Sequence, residues 1–106
     1  MADGTGLTVL VTFRARAEDV DEVVAEIIRN SRDSTSEPGC DEFLVLRDAD
    51  DPLEFALYER YRDDVAFHQE HMGTGHYARW KAVAERCLEP GSQRRREWRS
   101  LTEGRR

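Results

Sequence analysis

Long apolar runs are missing from this chain, and so are most patterns that announce a metal or redox protein. No stretch of about 18 consecutive apolar residues occurs, so no membrane-spanning helix is expected. The start, Met1-Ala-Asp-Gly-Thr-Gly6, lacks a basic segment followed by an apolar one; no secretion signal is expected, and the cytoplasm is the expected location. Cys40 and Cys87 form no CxxC pair and have no further cysteine partners, which argues against a disulfide framework or thiolate metal knot. Both read as small buried residues. Hydrophobic residues are also scarce, at 39% beside 36% charged, where roughly 45–50% and 25% are usual. The core must therefore be thin and confined to a few periodic segments.

With 106 residues the chain supports one domain over residues 1–106, its core running from about 7 to 101. A domain of this size leaves much surface uncovered, so oligomerisation would add useful burial. A net charge of −6 argues against nucleic-acid binding, which relies on clustered cations. The charge is uneven: from Pro90 onward six arginines stand against two glutamates. Arg94-Arg95-Arg96 reads either as a solvated strand or as a contact for an acidic surface of a second copy.

Leu7–Phe13 is β-branched and apolar over a strand's length. From Glu18 the period changes: Val20, Val23, Val24, Ile27 and Ile28 recur at helical spacing, with Val24 and Ile28 expected in the core. Pro38-Gly39 turns the chain into a second strand, Cys40–Arg47, and Asp48–Pro52 connects it to a third, Phe55–Tyr61. Period-two alternation puts Phe55, Leu57, Glu59 and Tyr61 on one face, and Ala56, Tyr58 and Arg60 on the other. Asp63 or Asp64 opens a short helix, on which His68 and His71 at i, i+3 should share a face. Gly73 and Gly75 interrupt it; a further helix runs from about His76 to Leu88, and Ser92–Leu101 is a plausible edge strand. The order β-α-β-β-α-β predicts an α+β, ferredoxin-like split βαβ fold, an antiparallel sheet with helices on one face. The bare face needs cover, and a second copy supplies it: a homodimer with facing sheets is expected.

All three histidines fall between positions 68 and 76, beside Glu59 and several aromatic rings. Imidazole titrates near neutrality, so this is the candidate acid–base pocket. His68, His71, His76 and Glu59 offer metal-ligand atoms, but the i, i+4 pair of HExxH is missing and two glycines redirect the chain, so no metal is expected.

The elements Ser34-x-x-Glu37-Pro38-Gly39-Cys40, Leu57-Tyr58-Glu59-Arg60-Tyr61 and His71-x-x-Thr74-x-His76-Tyr77 together resemble the antibiotic biosynthesis monooxygenase (ABM) superfamily of dimeric α+β barrels. The resemblance covers about residues 7–90. Two departures stand out: Thr35 replaces an arginine frequent in the family, and the last strand is arginine-rich rather than apolar. Haem-degrading relatives carry an asparagine on the first strand and a tryptophan before the histidine, both lacking here, so no cofactor is expected.

The resemblance implies a cofactor-independent monooxygenase that deprotonates a small aromatic substrate, a phenol or hydroquinone of polyketide type, and lets its anion react with O₂ to give a quinone. Such a site needs a base, an anion-stabilising donor and a dry aromatic-lined pocket. His71 and His76 are the candidate acid–base groups, with Glu59 orienting one of them. Phe43, Phe55, Tyr58, Arg60, His68, Tyr77 and Trp80 are the candidate substrate contacts. The alternative is a non-oxygenase on the same fold: a ligand-binding or accessory dimer, or a small-molecule isomerase.

Overall fold

A computed structural model describes residues 6–102. Four strands, β1 (Leu7–Arg14), β2 (Cys40–Arg47), β3 (Glu54–Tyr61) and β4 (Arg94–Arg99), and two long helices, α1 (Val20–Ser34) and α2 (Gly75–Cys87), follow the expected order. The sheet is antiparallel with strand order β2-β3-β1-β4, and the fold is α+β, ferredoxin-like, with both helices on one face. A 3₁₀ turn, Ala17–Asp19, leads into α1, and a π-helical turn, Ala66–His71, precedes α2.

Period-two alternation decides which side chains meet the helices. Leu7, Val9, Val11 and Phe13 of β1 and Phe55, Leu57, Glu59 and Tyr61 of β3 are buried beneath them. Val23, Ile27, Asn30 and Ser34 form the inward stripe of α1. Ile28, expected in the core, is 44% exposed, because the stripe follows i, i+4, i+7 from Val23 and leaves Ile28 on its shoulder. The opposite sheet face has no helix over it: Leu10, Leu44, Leu46 and Trp98 are all exposed there.

Three hydroxyls close α1. Ser34, Thr35 and Ser36 donate to the carbonyls of Asn30, Arg32 and Asp33 at 2.6, 2.8 and 2.6 Å, adding side-chain bonds to the carbonyls of the last turns. The chain then turns through Glu37-Pro38-Gly39 against the π-turn. Arg62 N–H donates to the Gly39 carbonyl at 2.8 Å. A Cβ on Gly39 would lie 2.5 Å from that of Ala66, so only glycine lets the two turns approach this closely. That approach carries Glu37 to the histidines.

Candidate active site

Thr74 sets the histidine segment. Its hydroxyl accepts from Tyr77 N–H at 3.1 Å, capping α2, and donates to the His71 carbonyl at 2.7 Å, tying the end of the π-turn to the start of the helix. Asp63 accepts from Ala66 N–H at 2.9 Å and so opens the π-turn. In this winding Met72 N–H reaches back to the Phe67 carbonyl, an i→i+5 bond. The wider turn separates His68 from His71, which α-helical spacing would have put on one face.

His71 is buried, 2% exposed, while His68 sits at the surface with its Nε2 2.9 Å from Glu97. Phe67 stacks on the His71 ring at 5.8 Å and 17°, and Tyr77 meets its edge at 5.3 Å. His71 Nδ1 lies 3.0 Å from Glu37 Oε2, and His76 Nε2 lies 2.5 Å from the same oxygen. One carboxylate oxygen thus serves two imidazoles. With His71 donating through Nδ1, its Nε2 is left as an acceptor, and among the described residues nothing hydrogen-bonds to it. Burial pulls the His71 pKa down, and the bond to Glu37 offsets part of that.

A cavity of about 310 Å³ opens between the sheet and α2, with His71, Glu59, Phe67, Tyr77 and Trp80 in its walls. Asn30 of α1 also lines it, and Lys81, Glu85, Gln93 and Arg95 add polar groups from α2 and the β4 side. Glu59 is 4% exposed; Tyr61 Oη donates to its Oε1 at 2.6 Å. Burial pushes its pKa up to about 7, against the Tyr61 hydrogen bond and the nearby Arg95 charge, which favour the carboxylate. One cavity wall thus holds a carboxyl that burial keeps protonated toward neutral pH and an imidazole that burial keeps neutral.

The sequence-based site is redrawn in several places. Glu59 does not orient a histidine; Glu37 does, and Glu59 takes its hydrogen bond from Tyr61 instead. His71, Glu59, Tyr77 and Trp80 share the cavity, whereas His76 lies behind it on Glu37. Tyr58 and Arg60 belong to the other face of β3, as strand alternation requires. Phe55 packs on Phe13 with centroids 5.5 Å apart, and Phe43 backs the His71 ring at 6.2 Å; both are core residues outside the cavity lining. Sequence reasoning passed over Glu37 as a ligand of the histidines, because 34 residues separate it from His71 and only the sheet topology joins them. Asn30, Phe67 and Arg95 were missed as well.

The donor atoms of Glu37, His71 and His76 lie within 4.8 Å of one another, the spacing a shared cation would use, but here they hydrogen-bond to each other. Cys40 and Cys87 are buried, and burial pushes the Cys40 thiol up to about 12, which makes it a poor nucleophile.

The family described as antibiotic biosynthesis monooxygenase (ABM) matches residues 6–83, the span that supplies the Glu37 turn, the β3 carboxylate and the histidine segment. The chain belongs to the ABM family. An isomerase acting on (4S)-4-hydroxy-5-phosphonooxypentane-2,3-dione, from Klebsiella pneumoniae, is 35% identical over 88 residues, which are 83% of this chain and 86% of that enzyme. Among solved structures, a Pseudomonas aeruginosa protein matches with a TM-score of 0.83 and 26% identity, over 92% of this chain and 96% of its own. A Mycobacterium tuberculosis protein matches the ABM fold here with a TM-score of 0.86 at 24% identity, over 95% of this chain and all of its own. In this ABM domain no helix among the described residues is long and apolar enough to cross a membrane.

The buried acid–base pair makes stability depend on pH in two opposing ways. Glu59 resists ionisation in the fold, so its contribution is full below about 4.5 and is lost as pH rises through about 7. His71 resists protonation, so its contribution is full above 6.5 and declines as pH falls below that value. Glu59→Gln should abolish the loss between pH 4.5 and 7, on the order of 3 kcal/mol, as read by urea unfolding across that range. An unchanged slope in the variant would contradict the burial assigned to Glu59.

Proposed function

We propose that this ABM domain is a cofactor-independent acid–base enzyme that isomerises a small hydroxy-carbonyl compound by moving a proton between adjacent carbons. The observation that carries the reading is that His71, with Nδ1 3.0 Å from Glu37 Oε2 and no partner for Nε2 among the described residues, shares a cavity wall with the buried Glu59 carboxyl. His71 removes the proton from the carbon that bears the hydroxyl, beside the carbonyl. The electron pair moves onto the carbonyl oxygen to give an enediolate, and the hydroxyl proton passes from the first oxygen to the second. Glu59 in its protonated form returns a proton to the former carbonyl carbon, so that hydroxyl and carbonyl exchange places; a proton passing from His71 to Glu59 then restores both groups. Arg95 and Lys81, also on the cavity lining, supply positive charge toward the enediolate. The Klebsiella relative's isomerase activity on a phosphorylated hydroxy-dione supports this type of reaction.

A second reading shares the first step. The aromatic walls formed by Phe67, Tyr77 and Trp80 suit a planar phenolic substrate, and the family's name points to oxygenation. There the substrate anion gives an electron to O₂ and recombines with it. One oxygen atom enters the product as a quinone carbonyl and the other leaves as water. Two proton carriers, one to take and one to return, fit isomerisation better, since oxygenation asks for a single base at the outset.

The apolar sheet face supports a homodimer. Leu10, Leu44, Leu46, Ala56 and Tyr58 line a shallow apolar groove there, and a second sheet laid on it would remove that surface from water. We place the protein in the cytoplasm, where its two unpaired cysteines stay reduced.

His71→Ala should lower kcat on the hydroxy-dione by about 10²–10⁴-fold, with turnover by the wild type unchanged when O₂ is removed. Loss of turnover without O₂, with anthrones accepted as substrates, would favour the second reading; full activity in His71→Ala would overturn both. In sedimentation equilibrium the wild type should have twice the 12.3 kDa chain mass, and Leu44→Asp should return it to one. A monomeric wild type at micromolar concentration would contradict the facing-sheet dimer.

A further inference from the structure

Most of the inward stripe of α1 is accounted for by packing or by hydrogen bonds within the fold. Val23 and Ile27 fill the core, and Ser34 donates to the Asn30 carbonyl at 2.6 Å. The Asn30 side chain is the exception. It is 1% exposed, its Oδ1 is buried without a hydrogen-bond partner, and no hydrogen bond among the described residues reaches its amide nitrogen. Buried amides in folded proteins are nearly always paired, because water that once solvated them has been removed. A leucine, with the same heavy-atom count and branching, would make the helix–sheet contact without an unpaired polar group, and the adjoining cavity leaves room for its larger methyls.

What Asn30 does have beside it is the cavity. It lines the same space as His71 and Glu59, and with them makes up the buried polar part of a lining that otherwise includes Val11, Leu57, Phe67 and Trp80. A carboxamide offers both a donor and an acceptor in one plane, so it suits a hydroxyl or carbonyl oxygen. Resting on the acid–base reading above, we infer that Asn30 is a positioning residue that hydrogen-bonds a second oxygen function of the substrate and holds the reacting carbon toward His71 Nε2. Recognition of the hydroxy-carbonyl unit then depends on both of its oxygen functions and not on the reacting carbon alone. A substrate with a single carbonyl would leave the amide unpaired and be rejected, the discrimination that sites built around buried polar groups achieve best.

The test uses Asn30→Leu, and Asn30→Asp as an isosteric variant that loses the amide donor. Thermal unfolding is measured without ligand, and binding and turnover with (4S)-4-hydroxy-5-phosphonooxypentane-2,3-dione as the probe. Asn30→Leu should raise the melting temperature by about 4 °C or more while weakening probe binding about 10- to 100-fold. Asn30→Asp should weaken binding without raising the melting temperature, and in both variants KM should suffer more than the pH profile of kcat. A fall in melting temperature for Asn30→Leu, with binding by Asn30→Asp unchanged, would overturn the inference and give the amide a purely structural role. If the dione binds neither wild type nor variants, the isomerase reading fails, and the same comparison is run with 1,8-dihydroxyanthrone. Wild-type binding of that probe, weakened in both variants, sustains the role of Asn30. Equal binding by all three proteins, or by none, overturns it.

Discussion

One carboxylate oxygen holds this site together. Glu37 Oε2 lies within hydrogen-bond reach of both His71 and His76, and so joins the turn after α1, the π-turn and the first turn of α2 at a single point. The Glu37 side chain is only 12% exposed, and taking a carboxylate that far from water is costly unless charge-assisted hydrogen bonds offset the loss. The local sequence is shaped around that requirement. Gly39 admits the close approach of the two turns, Thr74 caps α2 so that His76 faces inward, and the hydroxyls of Ser34, Thr35 and Ser36 let α1 stop where Glu37 must leave it. Removing Glu37 would leave the buried His71 and the half-buried His76 without this partner.

The same pairing defines the chemistry available. Fixing Nδ1–H on His71 turns its Nε2 toward acceptor duty, and burial keeps the ring neutral and ready to take a proton. Glu59 is driven the other way: the same lack of water raises its pKa to about 7. Desolvation thus favours the neutral form of both groups, a protonated carboxyl at Glu59 and an unprotonated imidazole at His71. A neutral base and a neutral acid in one cavity are the physical basis for the proposed proton transfer.

Much of the fold was legible because period and turn chemistry agreed. Leu7–Phe13, Cys40–Arg47 and Phe55–Tyr61 lie within or coincide with observed strands, and the Pro38-Gly39 turn and glycine break before α2 fall where expected. The candidate site was legible only in part. Strand alternation had already put Tyr58 and Arg60 opposite Glu59, so those three could not all line one cavity; the local pattern was right and its use was not. His68 and His71 were separated by π-helical winding, which side-chain pattern does not reveal. Glu37 and Asn30 act through distant parts of the chain, and a single polar residue on a helix stripe reads as surface until the stripe is seen to point inward.

The most direct test of this account is the imidazole ¹⁵N spectrum of His71 followed across pH in the wild type and in Glu37→Gln. The account predicts an Nδ1–H tautomer that stays neutral to below the ordinary imidazole value, and loss of that single tautomer when Glu37 is replaced. An Nε2–H tautomer in the wild type, or a His71 that gains its proton above pH 6.5, would contradict it.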